Sequence, residues 1–589
     1  MTKPSLITST QQFVQRLRSE NEVLDIHEEI DPDLELAEIQ RRVVQQKGKA
    51  ILFHRVKGTE FKVATNLFGS QKRIDIAFSK RPVNLIKQAV NTLETLFPPN
   101  LNKIWQAKNL AWDLLKVGSK KVANGPLLQN QINDLSKLPQ IKCWPEDGGA
   151  FVTLPLVYTQ SPSSQKPNLG MYRIQLFNKN QCGMHIQIHR GGGFHYHEAE
   201  NKGQSLPAHI YIGGPPACII AAVAPFPEDI SEILLASLLT GSKLKQIQNP
   251  QYSELPLLAD ADFCIVGKIP PFKRKAEGPF GDHYGYYSLQ HDYPYLEVDK
   301  IFHRNDAIYP ATVVGRPPQE DHFIACYLQE LLTPLIKMVM PQVKSVWAYE
   351  ESGVHSLAAA LVKDRYPREA LTTALRILGE GQLSLSKILM VTDKDCEIKD
   401  FKSLFQIILE RIDFKKDLFI LSNISQDTLD YTGPKVNEGS KAIFLGLGEV
   451  KNKLNKVFNT NFNDQRFSST KVFCPGALVV QGPSYSHQDD LAQILANNPA
   501  IDGWSMVFLV DDAEASVLSS QDFIWHIFTR FEPAADIYAR SHKLIRYHVS
   551  LEPPVVIDCR MKPWYPKELK SEPSVINKLK PILDKYGLT

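Results

Sequence analysis

The chain has no closely spaced cysteines. Its eight Cys, at Cys143, Cys182, Cys218, Cys264, Cys326, Cys396, Cys474 and Cys559, are scattered over 589 residues, and no two stand at a metal-ligand or redox-pair spacing. A disulfide framework is thereby excluded, and the reducing cytoplasm is the expected compartment. Charge of one sign is also missing. The formal net charge of +3 is too near balance to argue for a nucleic-acid partner or an anionic membrane. The longest apolar run, near Ala217 to Ala224, is far short of a membrane span. Met1 to Ser5 lead into a polar helix-like segment and not into an apolar signal core. No dinucleotide-binding glycine fingerprint, low-complexity segment or charge block is present. Glycine (32) is outnumbered by proline (39), which points to many defined loops.

What is present is ordinary globular composition, 43% hydrophobic and 22% charged, in a chain too long for one core. About three domains are expected. Residues 1–124 read as an α/β domain: helical spacing from Asp31 to Val44, a buried-strand candidate at Ala50 to Phe53, a glycine turn at Asn66-Leu67-Phe68-Gly69, and two helices broken at Pro98-Pro99. Residues 125–318 change texture. Short β-rich runs, such as Met171 to Phe177 and Met184 to Ile188, alternate with Gly and Pro, as in a barrel or sandwich. The clear helix there is Asp229 to Leu239. Residues 319–345 read as a connecting helix, and 346–589 return to α/β. In that last part Val391 to Lys441 can be laid on Val510 to Arg560 without a gap, which predicts a duplication over 386–446 and 505–565.

The chemistry concentrates at Glu277-Gly278-Pro279-Phe280-Gly281-Asp282. Gly and Pro keep this stretch out of a helix, so it reads as a tight loop that aims two carboxylates at one point. A paired acid in a partly buried cleft acquires a shifted pKa, and one member can then carry a proton near neutrality for general acid/base work. A solvated surface turn would have the same hexapeptide. If Met171–Phe177 and Met184–Ile188 are neighbouring strands, Arg173, His185, Gln187 and His189 crowd one site, and Gly191-Gly192-Gly193 lets a phosphorylated ligand approach the backbone. A polar barrel exterior is the plainer explanation. Glu232 is either the third residue of a capping box opened by Asp229 or, with Asn168, an oxygen ligand for a divalent cation. Lys441, in Glu438-Gly439-Ser440-Lys441, is either a phosphate contact or a solvated charge.

Taken in order and spacing, Asn168-Leu169-Gly170-Met171-Tyr172-Arg173, His189-Arg190-Gly191-Gly192, the 277–282 loop and Gly315-Arg316-Pro317-Pro318 resemble the UbiD family of decarboxylases. Asn66-Leu67-Phe68-Gly69 and Gly439-Ser440-Lys441 fit the same family, so the resemblance runs from about residue 20 to 450. It implies an N-terminal α/β domain, a central split β-barrel like that of flavin reductases, and a C-terminal α/β domain. It implies prenylated FMN with a divalent metal, such as Mn2+, and a monovalent cation, such as K+, at its phosphate. The family's catalytic trio falls on Arg173, Glu277 and Asp282; Asp at the last position matches the quinone-biosynthesis branch. Metal ligands fall on Asn168, Glu232 and His189. Flavin contacts fall on Met171, Tyr172, Arg173, His185, Ile186, Gln187, Arg190, Gly191 and Lys441.

Gly183 to His189 is most similar to the futalosine-route menaquinone decarboxylases, whereas the residues beyond 450 exceed the ubiquinone-pathway members in length. The expected protein is a cytoplasmic homo-oligomer that decarboxylates an aromatic acid on a quinone pathway. A flavin prenyltransferase would supply its cofactor, and a lipophilic substrate would bring it to a membrane surface. A polyprenyl-hydroxybenzoate decarboxylase of ubiquinone biosynthesis, an FMN-dependent reductase and a non-catalytic flavin-binding scaffold are the alternatives. The second repeat, rich in aromatic residues at Phe523 to Phe528, is expected to pack on the first and to help hold an oligomer.

Overall fold

A computed structural model of the chain describes residues 6–96, 115–186, 191–224 and 231–589. It divides into two units. The first comprises residues 1–315, 319–332 and 568–589, and the second comprises 316–318 and 333–567. Among the described residues no helix is long and apolar enough to cross a membrane.

Besides a three-stranded sheet and a two-stranded pair, two main sheets build the first unit among the described residues. The smaller has the order Val23–Ile30, Ala50–Val56, Lys62–Thr65, Ile308–Ala311. Its last strand pairs in parallel with Lys62–Thr65 although some 240 residues of chain separate them, so residues 1–124 do not close their own sheet. The C-terminal helix Pro573–Tyr586 packs against the helix Glu35–Gln45, with Leu579 and Leu583 buried in the same core. The end of the 346–589 stretch thus belongs to the first unit.

The larger sheet is antiparallel and curls as a half-barrel. Ala150–Val152, Ile174–Asn178, Gln181–Met184, His291–His303, Phe263–Ile269, Leu206–Ile212, Pro155–Gln160 and Pro167–Gly170 follow in that order. Ile174, Met184, Ile210, Ile265, Leu296 and Ile301 alternate inward into one buried core. The strands are shorter than the β-rich runs suggest. Met171 to Arg173 precede Ile174–Asn178, and His185 and Ile186 follow Gln181–Met184. The helix expected from Asp229 begins at Glu232 and ends at Thr240, with Gly241 in the left-handed region. Asp229 and Pro98-Pro99 lie outside the described residues.

The second unit holds two five-stranded sheets of identical strand order and sense. One runs Val343–Ala348, Leu357–Val362, Ile388–Thr392, Glu438–Gly446, Leu418–Ser425, and the other Ser469–Cys474, Ala477–Gln481, Met506–Val510, His548–Asp558, Ile537–Ile545. Each pairs antiparallel, parallel, parallel, antiparallel. The gapless alignment fails at its end. Lys441 lies inside Glu438–Gly446, one residue before Ala442 pairs with Ile388, whereas Arg560 lies beyond the end of His548–Asp558.

Candidate active site

The loop after strand Arg274–Glu277 does what its composition predicts. Glu277 is the last residue to pair with the long strand, opposite His291. Gly278 takes φ 91°, a region that glycine enters without penalty. Phe280–Gly281 then pairs back on Tyr287–Ser288. The turn is pinned from outside: Gln175 Oε1 accepts the Gly278 N–H at 2.9 Å, and Asp147 Oδ1 accepts the Gly281 N–H at 2.7 Å.

Both carboxylates meet Arg173. Its Nε donates to Glu277 Oε1 and its Nη2 to Glu277 Oε2, each at 2.8 Å, while Nη1 donates to Asp282 Oδ2 at 2.5 Å. Nη2 also donates to Ser288 Oγ at 2.9 Å. His185 Nδ1 stands 3.2 Å from Glu277 Oε2. Arg173 lies over the Phe280 ring, 4.8 Å from its centroid, and Phe280 packs on Phe151. The Glu277 side chain is fully buried. Ser288, Asp147 and His283 also touch this loop and are not among the residues that the motifs bring forward. A polar residue inside a β-rich run is the signal that marks Ser288, and the Asp147-Gly148-Gly149 turn marks Asp147.

The electrostatics differ from expectation. Burial by itself would raise the Glu277 carboxyl, but the charge and hydrogen bonds of Arg173 outweigh it and hold the group at about 2. Asp282 is lowered as well: against burial act the His283 hydrogen bond and charge, and then Arg173. Neither acid carries a proton near neutrality in this state. Burial and the Arg173 charge lower His185, and burial raises Asp147 to about 6.

A second cluster lies at the strand Pro167–Gly170. Tyr172 OH accepts the Gly192 N–H at 3.1 Å and lies 3.4 Å from Asn168 Nδ2. Gly191 to Gly193 open the helix Gly191–Asn201 and are not an irregular loop. A Cβ on Gly191 would lie 2.2 Å from Asn168 Oδ1, so glycine is what allows this approach. Glu232 is the first residue of its helix, whose N-cap is Ser231. Its Oε2 reaches outside the helix and accepts the Leu169 N–H at 2.9 Å. The capping-box reading therefore fails. Burial raises the Glu232 carboxyl. A half-buried carboxylate beside a backbone donor, next to Asn168 on the same strand, suits a hard cation, and a helix opening with three glycines suits a phosphate.

Among the described residues no group of three or more His, Cys, Asp and Glu is gathered for a metal. Gln187, His189 and Arg190, expected at this site, lie outside the described residues. Met171, Tyr172 and Ile186 flank Arg173 and His185, with Tyr172 and Ile186 buried. Lys441 belongs to the second unit. It is not a solvated charge: its amine is buried, donates to Ser386 O at 2.8 Å, and is pushed down to about 8 by burial. Arg560, considered as its counterpart, is paired with Asp558 and donates to Pro483 O and Gln488 O.

Comparison with known proteins agrees with the motifs. Residues 14–93, 119–317 and 322–446 match, respectively, the N-terminal, Rift-related and C-terminal domains described as 3-octaprenyl-4-hydroxybenzoate carboxy-lyase. The second five-stranded sheet lies beyond the last matched residue. An uncharacterised protein of Chlamydia caviae is 46% identical over 582 residues, 98% of this chain and 99% of that one. A Chlamydia pneumoniae protein described as one of the subunits of 4-hydroxybenzoate decarboxylase is 46% identical over 564 residues, 95% of each chain. Among solved structures, the closed form of the Sedimentibacter hydroxybenzoicus vanillic acid decarboxylase gives a TM-score of 0.65 at 23% identity, covering 84% of this chain and 100% of that one. HmfF of Pelotomaculum thermopropionicum, solved with FMN, gives 0.62 at 22% identity, covering 79% and 97%.

Proposed function

Since the chain belongs to the UbiD family of carboxy-lyases, we propose that it removes CO2 from an aromatic carboxylic acid without net oxidation, using prenylated FMN as its resident cofactor. The observation that carries this reading is the single guanidinium of Arg173 shared by Glu277 and Asp282. When bound, the prenylated flavin supplies the electron sink for the carbon that loses its carboxylate. Everything else falls to the chain. The helix opening at Gly191, with Asn168, Glu232 and His189 and the divalent and monovalent cations they would hold, would anchor the cofactor phosphate. Met171, Tyr172, His185, Ile186, Gln187 and Arg190 would line the flavin.

Arg173 makes four hydrogen bonds to Glu277, Asp282 and Ser288, against five N–H donors in a guanidinium, so one Nη1 donor remains for a substrate carboxylate. A substrate anion there dilutes the positive charge that keeps the two acids ionised. Their proton affinity rises as the site fills, which readies one of them to protonate the ring carbon after CO2 leaves. Because the two acids share Arg173, they titrate as a pair. Burial of Glu277 keeps water away from the reacting carbon.

A fused bicyclic, naphthoate-type acid of the futalosine route is the substrate favoured by the Gly183–His189 run. A hydroxybenzoate is the second reading, favoured by the name of the Chlamydia pneumoniae relative. The test is purification with and without a co-expressed flavin prenyltransferase. The co-expressed preparation should carry a flavin of prenylated mass and release CO2, while protein with plain FMN should not turn over. Equal turnover with plain FMN, or NAD(P)H consumption without CO2, overturns the reading.

A further inference from the structure

Decarboxylation of an anion to a neutral ring carbon consumes one proton per CO2 released, and Arg173 and His283 hold both acids of the site ionised. A proton must therefore enter from outside the trio. Glu277 is sealed: its side chain is fully buried and its partners are Arg173 and His185. His185 is itself buried, and burial and Arg173 disfavour its charged form. Asp282 has a different neighbour. Its Oδ2 accepts from Arg173, but Oδ1 accepts the backbone N–H of His283 at 2.8 Å and lies 2.8 Å from His283 Nδ1. The His283 side chain is 25% exposed, against 12% for Asp282 and 9% for His185. Asp321, half-buried near the start of the helix Glu320–Val339, faces the same ring electrostatically, so the charged groups that face His283 include Asp282, Asp321 and, through Asp282, Arg173. An ordinary imidazole changes charge near neutral pH. Among the described residues His185, His283 and His291 border the trio, and His283 is the one that bonds Asp282 and is more exposed than His185.

We propose that His283 supplies the proton of the decarboxylation, passing it from solvent to Asp282. Nε2 takes a proton from water as Nδ1 releases its own to Asp282 Oδ1. The ring's proton count is unchanged, and Asp282 becomes the neutral acid. Asp282 then gives that proton to the product carbon, and the ring regains its first tautomer by exchange with water. One solvent proton is consumed per CO2, and no oxidant or reductant takes part. His283 acts through Asp282 and is a positioning residue in that sense. The inference rests on the decarboxylase reading above.

The test pairs His283→Asn, which keeps a donor near Oδ1 but cannot relay, with His283→Ala. Both should load flavin and retain KM, while kcat falls by about 100-fold, the lower end of the general acid/base contribution. Added imidazole should restore His283→Ala in a concentration-dependent way and leave the native chain unchanged. A readout independent of turnover is the histidine NMR titration of the whole protein. The signal missing in His283→Asn should move to a lower midpoint in Asp282→Asn, because a carboxylate favours the imidazolium beside it. Native turnover in His283→Asn, a loss in His283→Ala that imidazole does not restore, or an unmoved His283 titration would overturn the proposal. If the loaded native protein releases no CO2 from any aromatic acid, the decarboxylase reading has failed, and the titration still shows whether His283 and Asp282 are coupled.

Discussion

Arg173 grips Glu277 by two parallel hydrogen bonds, Nε to Oε1 and Nη2 to Oε2, both 2.8 Å. The side chains come from residues 104 positions apart, one preceding the strand Ile174–Asn178 and one ending the strand Arg274–Glu277. A bidentate pair of this kind fixes direction as well as distance. It leaves Glu277 no freedom to turn away from the site, and it makes the guanidinium the common reference for both acids.

Glu277→Gln keeps the shape and one acceptor of this pair but cannot exchange a proton. Turnover should fall by about 10²- to 10⁴-fold, because the acid step on Asp282 depends on the charge that Glu277 shares with it through Arg173. Flavin content should stay near that of the native chain, because Asp282 still neutralises Arg173. Loss of flavin in proportion to activity would make Glu277 a structural residue. The measurement is single-turnover CO2 release beside flavin absorbance.

The same pair sets an acid limit on stability. Glu277 is held at about 2 in the folded chain, below its ordinary 4.5. A lowered carboxylate contributes stability that is complete above the unfolded value and is lost as pH falls through the folded one. The loss should therefore run between about pH 4.5 and 2 and amount to something on the order of 3 kcal/mol. Glu277→Gln should remove this part of the acid transition. Denaturant midpoints at about pH 7, 4 and 3, which bracket that window, would check it; a variant as acid-sensitive as the native chain would refute it.

Much of this site is legible in the sequence, and the reasons are local. Gly278, Pro279 and Gly281 permit few backbone paths, so a loop presenting two acids follows from six residues. Strand alternation places Arg173 and His185 together, and they do meet, though His185 lies past the end of its strand and its N–H reaches Arg173 O across the gap. What is not legible depends on partners far along the chain. Glu232 reads as a helix cap because its neighbours have cap composition; only the approach of Leu169, 63 residues away, reveals another role. The return of Ile308–Ala311 to the first sheet, and of Pro573–Tyr586 to the first unit, leaves no periodic signature in either segment.

Glu232 separates a cation site from a merely structural carboxylate. Glu232→Gln retains an acceptor for the Leu169 N–H, so the fold should hold and the melting temperature should change little. A cation ligand that loses its charge should lose metal, and flavin with it. Gly191→Ala should act in the same direction by another route, since its Cβ would displace Asn168 Oδ1, 2.2 Å away. Unchanged metal and flavin in both variants, read by elemental analysis and absorbance, would remove the cation from this strand.

The second repeat calls for a different expectation from the one its composition prompts. Phe523, Ile524, Trp525, Ile527 and Phe528 read as a surface awaiting another protomer, yet each is buried within the chain itself. From Phe523 onward every residue of the helix Ser520–Phe528 is buried, so its apolar character all round reflects cover all round. Phe523 stacks on Phe473 at 3.6 Å and meets Phe401, Phe405 and Phe508, which ties it to the first repeat's helix Phe401–Arg411. Trp525 lies under two guanidiniums, Arg316 at 4.0 Å and Arg530 at 4.8 Å. Cutting the chain after residue 480 would strip the first repeat of this cover and remove Pro573–Tyr586 from the first unit as well. Such a truncation should give insoluble or poorly folded protein, not a soluble enzyme of smaller assembly. Trp525→Ala is the gentler test. It should destabilise the fold by about 3–5 kcal/mol, as emptying a large aromatic from a packed core usually does, and lower the melting temperature before it alters the oligomeric state. A truncated chain that stays folded and soluble, or a Trp525→Ala chain that dissociates at unchanged melting temperature, would return the aromatic helix to the role of a contact between protomers.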